Sequence, residues 1–345
     1  MIFSIVAIIY QSCSSSVFEK VASCSELSIS EMQDKELGKI FVVNKFTGEK
    51  ESLRNHPESL PNKSIKYIII HTTECNLSVT LDIFTSYNPI PPAVTKVCSH
   101  YIITQKEDYE ISKFSDTGFA NYDERVKNQK KPEKFKISIK KGGNIIRMAD
   151  DNQLARHAGI SFFNKDEDLN TVSIGIELVH EQNQKFDKDQ INALVKLLKL
   201  LTKKYDIKPE NILAHSDIAP SRKHDPGPQF SWGNLFKNYG IGAWLSNDEL
   251  NPESIKRNYK PLEDIPSAIN EEFFFRMLEK FGYKVKGYTS AGNSEEAKYN
   301  KSIVTAFKAH FSENLKHKNY SDIQDNLTYN DMFWAWALVS KYRRN

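Results

Sequence analysis

The sequence predicts an α/β chain, a mixed β-sheet flanked by helices, followed by a small all-α C-terminal domain. Three observations carry this. The run "IKYIII" (65–70) is apolar and β-branched, as in a strand buried on both faces. The run "VSIGIEL" (172–178) alternates, with Val172, Ile174, Ile176 and Leu178 on one face and Ser173, Gly175 and Glu177 on the other. Beyond residue 266 the pattern changes. "EEFFFRMLEKFGY", "SIVTAFKAHF" and "NDMFWAWALVSKY" place their aromatics at helical spacing, as in the core of a small bundle.

Taken in order, residues 1–25 open with an apolar run, "MIFSIVAIIY", that falls short of the roughly 20 apolar residues a spanning helix needs. It resembles the apolar part of a secretory signal, without the Lys or Arg that usually precedes one. This leaves an unusual signal or a late start codon. Export to the periplasm or cell envelope is the expectation, with lipid attachment at Cys13 as an addition to it. Residues 26–62 are polar and unpatterned and read as an extension. Strands are expected at 65–70, 99–104 ("SHYIIT"), 144–148 ("NIIRM") and 172–178. Between the second and third, residues 105–141 form a Lys-rich insertion, read as a solvated loop, a lid or a docking surface for an anionic polymer. Residues 187–204 read as a helix: Asp187 caps it, Gln190 completes a capping-box pattern, and Ile191, Leu194, Val195, Leu198 and Leu201 form its apolar stripe. The stretch 247–266 reads as a linker, and 267–345 as the helical domain.

Net charge is +3 and charged residues make up 26% of the chain, with no basic block on an acid-free surface, so a nucleic-acid partner is excluded. The four cysteines, Cys13, Cys24, Cys75 and Cys98, form no CxxC pair. Cys75 and Cys98 read as two unpaired thiols, with a disulfide as the alternative in an exported chain.

Chemistry concentrates in "AHSDIAPSRKHDPGPQF" (214–230), where Pro220 and the Pro-Gly-Pro after Asp225 exclude regular structure and impose a fixed loop. A catalytic zinc takes three protein ligands and keeps one open position. His71 at the end of a buried strand, His215, and Asp225 between stiff backbone segments are suitable donors. Each histidine read alone is equally a hydrogen-bonded core residue. Glu177 read alone is a solvent-facing carboxylate on an amphipathic strand.

The ordered set "IIIHTT", "SHYII", "ARHAGIS", "LNTVSIGIELV" and "AHSDIAPSRKHDPGPQFSW" closely resembles the AmpD/AmiD-type zinc N-acetylmuramoyl-L-alanine amidases, the amidase-2 family. The continuation through "GNLFKNYGIGAW" is most similar to the AmiD-like branch. The resemblance covers roughly residues 64–245 and implies the amidase-2 fold over 63–246. It implies one Zn2+ per chain on His71, His215 and Asp225, with Glu177 as catalytic carboxylate and Lys223 beside the reacting carbonyl. It places His157 in the cleft without binding metal and implies peptidoglycan or muropeptides as substrate. Asn170 and Arg222 are candidates for holding the stem peptide, with a turn and a structural ion pair as alternatives. His100 is expected to support the site, and His224 to be incidental.

Three departures stand out. Arg156 occupies the place where the family commonly has Trp. The 105–141 insertion is long and enters near the cleft. "VTAFKAHF" echoes the "FQ-x-HF" pattern of peptidoglycan-binding helical domains, but the Gly-rich turn expected after it is missing. Two rivals accompany the amidase reading: a non-catalytic peptidoglycan-recognition protein on the same fold, and a zinc hydrolase of a different amide.

Overall fold

The structure, a computed structural model, describes residues 27–46, 54–55, 65–85, 97–112, 134–139, 142–181, 184–316 and 318–343. The signal-like segment, with Cys13 and Cys24, lies outside them.

Seven strands form one mixed sheet: β1 (Leu27–Asp34), β2 (Gly38–Phe46), β3 (Tyr67–Thr72), β4 (Tyr101–Ile103), β5 (Ile145–Arg147), β6 (Ser173–Leu178) and β7 (Ile212–Ala214). Their spatial order is β1-β2-β5-β4-β6-β3-β7. The four strands β4, β6, β3 and β7 run parallel, whereas β5 is antiparallel to β4. Every residue of β3 and β6 is buried, as the apolar run 65–70 predicts. For β6 the alternation therefore separates two buried faces, not a buried and a solvated one. Glu177 is only 9% exposed, so its solvent-facing reading does not hold.

Helix α1 (Leu77–Thr85) follows β3. Helix α2 (Lys188–Tyr205) packs Leu194, Leu197, Leu198 and Leu201 into the core, and the Asp187 carboxylate caps it by accepting from the backbone N–H groups of Asp189 and Gln190. The capping box does not form. The buried Gln190 amide instead donates to the carbonyls of Ile103 and Val179, at 2.9 and 2.8 Å, closing the ends of β4 and β6. After β7 come α3 (His215–Ile218) and α4 (Trp232–Tyr239), then α5 (Pro252–Tyr259), α6 (Glu271–Phe281), α7 (Glu295–Phe311) and α8 (Tyr329–Tyr342).

Three expectations need revision. Residues 27–46, read as unpatterned, form an antiparallel hairpin that extends the sheet and buries Leu37 and Ile40. The flanks of the Lys-rich insertion, Glu107–Ser112 and Lys134–Ile139, pair as antiparallel strands rather than forming a loop throughout; residues 113–133 lie outside the described residues. The stretch 247–266 contains α5, capped by Asn251, whose Ile255 is fully buried. Sheet and C-terminal helices share one hydrophobic core, from Ile68 and Leu198 through Trp232 and Trp244 to Phe311, Trp334 and Trp336. Among the described residues no helix is long and apolar enough to cross a membrane.

Candidate metal centre and active site

The site lies beyond the carboxyl ends of the parallel strands, where ligands of open α/β sheets commonly bind. Sheet register assembles it. Glu177 on β6 pairs with His71 on β3, and registered residues of parallel neighbours project to the same face. On the other side, Ala214 pairs with Ile70, so His215, the next residue along, comes level with His71. Asp225 is delivered by the loop after α3, fixed by Ser216 N–H donating to its carbonyl at 3.1 Å. Gly227, between two prolines, takes a φ of +78°, a conformation that suits glycine.

Three donor atoms converge. His71 Nδ1 and His215 Nδ1 stand 2.9 Å apart, and Asp225 Oδ2 lies 3.3 Å from the first and 3.2 Å from the second. A tetrahedral zinc with bonds of about 2.0–2.1 Å spaces its ligand atoms roughly 3.3 Å apart. The triangle is close to one face of that tetrahedron.

The hydrogen-bond network assigns the tautomers. His215 Nε2 faces the Ala158 carbonyl at 3.2 Å and must carry the proton, leaving Nδ1 bare. Ser173 donates to the Leu169 carbonyl, so it accepts from His157 Nε2 at 3.2 Å. His157 Nδ1 is then an acceptor, and His71 Nε2 donates to it at 3.0 Å. His71 Nδ1 is therefore bare as well. Two ring lone pairs and a carboxylate point into one space without a proton between them, an arrangement that fits a cation.

Charge states agree. Burial, and then His215, press the His71 ring down to about 4, so it is neutral at pH 7 as ligation requires. Burial and the surrounding His71, His100 and His215 hold His157 well below the usual imidazole range. Burial opposes ionisation of Asp225, but His215 and His71 outweigh it and keep the carboxyl far below its ordinary range. Glu177 moves the other way. Burial, then Asp225, raises it well above the ordinary range, with Lys223 pulling in the opposite direction. Its Oε2 is buried without a hydrogen-bond partner among the described residues. It shares a cavity of about 220 Å³ with the three donors, His157 and Lys223.

The structure thus brings together His71, His215, Asp225, Glu177, Lys223 and His157. Asn170 and Arg222 are instead committed to the protein's own loop. Asn170 Oδ1 accepts from the N–H groups of His157 and Ala158, at 2.9 and 2.8 Å. Arg222 donates to the carbonyls of Ala158 and Ile160, at 3.0 and 2.8 Å. Both sets of bonds lie within the protein, and those of Arg222 go to backbone carbonyls rather than to the acidic partner of an ion pair. His100 supports β6, accepting from Gly175 N–H at 3.1 Å and donating to the Gln153 carbonyl at 3.0 Å. Sequence reasoning missed Gly175 as the seat of His157: a Cβ there would fall 2.4 Å from the imidazole Cγ. The signal was present in the small residues, Ser173 and Gly175, that share the face of Glu177. Cys75 and Cys98 also border the cavity, both as free thiols, so the disulfide alternative is not realised.

Several named amidases are similar to this chain. The family model described as N-acetylmuramoyl-L-alanine amidase matches residues 112–228. The chain carries an amidase-2 domain. The matched span holds His157, Glu177, His215, Lys223 and Asp225, while His71 precedes it. The chain is 35% identical over 181 residues to N-acetylmuramoyl-L-alanine amidase AmiD of Escherichia coli, a match covering 50% of this chain and 60% of AmiD. It is 38% identical over 97 residues to the 1,6-anhydro-N-acetylmuramyl-L-alanine amidase AmpD of Enterobacter cloacae, covering 28% of this chain and 52% of that protein. The chain therefore spans less than two thirds of the length of these curated relatives. Among solved structures, E. coli AmiD in complex with the substrate anhydro-N-acetylmuramic acid-L-Ala-D-γ-Glu-L-Lys aligns with a TM-score of 0.54 at 27% identity, covering 85% of this chain and 95% of that one. AmpDH3 of Pseudomonas aeruginosa aligns with a TM-score of 0.55 at 23% identity, covering 86% and 98%, and supports the fold.

Proposed function

We propose that this chain is a zinc-dependent N-acetylmuramoyl-L-alanine amidase that hydrolyses the amide between the lactyl group of N-acetylmuramic acid and L-alanine, in peptidoglycan or its muropeptides. The observation that carries the reading is the convergence of three donor atoms, on His71, His215 and Asp225, beside the buried Glu177 carboxylate. One Zn2+ per chain fits that donor set, and bound there it supplies Lewis acidity and a water acidified from about 15.7 toward roughly 7.

The chain's own residues do the rest. Glu177 accepts a proton from the attacking water and delivers it to the alanine nitrogen as the C–N bond breaks, leaving a lactyl carboxylate and a free amine. Burial favours its protonated form, as suits a group that carries a proton from the water to the leaving amine. Lys223 contributes positive charge where negative charge develops on the carbonyl oxygen. His157 holds the His71 ring in the tautomer that leaves Nδ1 free. Asn170 and Arg222 shape the 157–160 loop and act on substrate only through it. A purely recognising protein has no use for a buried carboxylate with an unpartnered oxygen, so Glu177 favours catalysis over that rival. Peptidoglycan as substrate matches export to the cell envelope.

The test is digestion of purified peptidoglycan with and without zinc, with a chelator as control, followed by mass spectrometry of the soluble products. Stem peptides beginning with free L-alanine, with glycan strands uncut, are expected only when zinc is present. Zinc-dependent cleavage at another amide would point to the different hydrolase, and binding without release to the recognition protein.

A further inference from the structure

His215 sits on α3, a helix of only four residues (His215–Ile218), far too short to hold its shape unaided. What fixes it is Asp217, two residues on and almost wholly buried. The Asp217 carboxylate collects three donors. Oδ2 accepts from the backbone N–H of Ala214 at 2.7 Å, across the start of the helix. Oδ2 also accepts from His310 Nδ1 at 2.6 Å, and Oδ1 accepts from the Tyr283 hydroxyl at 2.6 Å. The last two come from the C-terminal helices: His310 lies on α7, in the "KAHF" stretch, and Tyr283 just beyond α6. Hydrogen bonds to a buried carboxylate are among the strong ones, and a carboxylate left without them would be costly to bury. The His310 ring is itself clamped, stacked against Trp232 at 3.9 Å and Phe311 at 4.0 Å between centroids.

We propose that the C-terminal bundle is a positioning device for the metal centre: His310 and Tyr283 hold Asp217, Asp217 holds the turn that begins at His215, and ligand geometry is thereby set from outside the amidase-2 domain. The proposal rests on the metal reading above. His310 and Tyr283 touch neither metal ligand nor substrate; they act through Asp217. This gives the helices a role that does not require them to bind glycan.

The experiment measures zinc affinity by competition with a chromophoric chelator, together with the visible spectrum of the cobalt-loaded full-length protein. Five chains are compared: wild type, H310L, H310N, Y283F, and F275L as a control in the same bundle. Phe275 is fully buried against Phe274 and has no bond to Asp217. H310L is expected to weaken zinc binding about 10- to 100-fold, as for other groups that orient a metal ligand, and to broaden the cobalt spectrum. H310N keeps a donor near Nδ1 and should recover to within about threefold of wild type, while Y283F falls between. F275L should lower thermal stability and leave affinity unchanged. Y283F removes one oxygen and keeps its ring, so it gives the readout even if H310L does not fold.

Unchanged affinity in both H310L and Y283F overturns the proposal and leaves the metal reading intact. Equal loss of affinity in F275L overturns it too, as general loosening. A wild-type chain that binds no zinc overturns the metal reading and this inference together.

Discussion

Glu177 is the residue whose role differs most between its sequence and its surroundings. On an alternating strand a carboxylate opposite an apolar face reads as solvated, yet here it lies in a cavity with one oxygen unpartnered. The group is not among the three converging donors, so its substitution separates chemistry from metal binding. E177Q should lower kcat about 100- to 10,000-fold, the range for losing a general acid–base group, while zinc affinity stays near wild type. Steady-state cleavage of a muropeptide and chelator competition on the same preparation check both halves. Preserved activity, or lost zinc, would remove Glu177 from the proton-transfer role. At this scale the sequence read alone left His71, His215 and Asp225 open between ligands and core residues; it was the family resemblance that joined them, and the structure brings their donor atoms together. The His157–His71 contact joins residues 86 apart, and those that hold Asp217 reach across 66 and 93 residues. No local pattern encodes such pairs.

At the scale of elements, legibility followed periodicity. β6 and α2 repeat strongly enough to be read directly, and β3 is read instead from its unbroken apolar run. The hairpin β1–β2 was missed although it holds the apolar run "IFVV" (40–43) and Ile40 is buried; the run is short, it stands among polar residues, and its partner β5 lies about a hundred residues away. One junction between elements carries a pH signature. Asp151 accepts from Tyr101 on β4 at 2.6 Å and from Lys204 and Tyr205 at the end of α2, at 2.8 and 2.7 Å. Burial alone would raise its pKa, but the bonds from Lys204, Tyr101 and Tyr205 outweigh it, and the carboxyl sits below its ordinary range. A carboxyl depressed in the folded state stabilises fully above its unfolded value of about 3.9, and the contribution fades as pH falls through the lower folded value. Wild type should therefore lose stability steeply below about pH 4, and D151N, already weaker at pH 7, should show a shallower loss there. Urea midpoints across pH 2.5–7 for the two chains, at roughly half-unit steps, are the measurement. Parallel curves would mean that the junction is not a titrating element.

For the whole molecule, the sequence suggested two units joined by a linker over 247–266, and the packing shows something more continuous. Trp244 meets Trp334 edge-on at 4.9 Å and stacks on Phe311 at 6.0 Å, so the end of the amidase-2 region is built into the bundle. Lys341 on α8 binds Glu249 at 2.8 Å and the Trp244 carbonyl at 3.1 Å, and the Tyr342 hydroxyl donates to that same carbonyl. Arg343 reaches back to Asn211, beside β7. The composition of 247–266 gave the linker reading because polar and Pro-containing segments usually bridge domains; what it could not reveal is that Ile255 is buried and that Glu249 is held by Lys341, 92 residues on. Separately folded units would unfold in separate steps, whereas one shared core predicts a single step. All four tryptophans, Trp232, Trp244, Trp334 and Trp336, lie in the seam or the bundle, so their fluorescence reports there. Amide exchange of β3 reports on the sheet. In urea the two probes should give the same midpoint to within about 10–15%. Fluorescence changing well before β3 loses protection would mean that the bundle detaches first. In that case affinity for zinc should fall along with the fluorescence, because Asp217 would have lost His310 and Tyr283 while the sheet still stood.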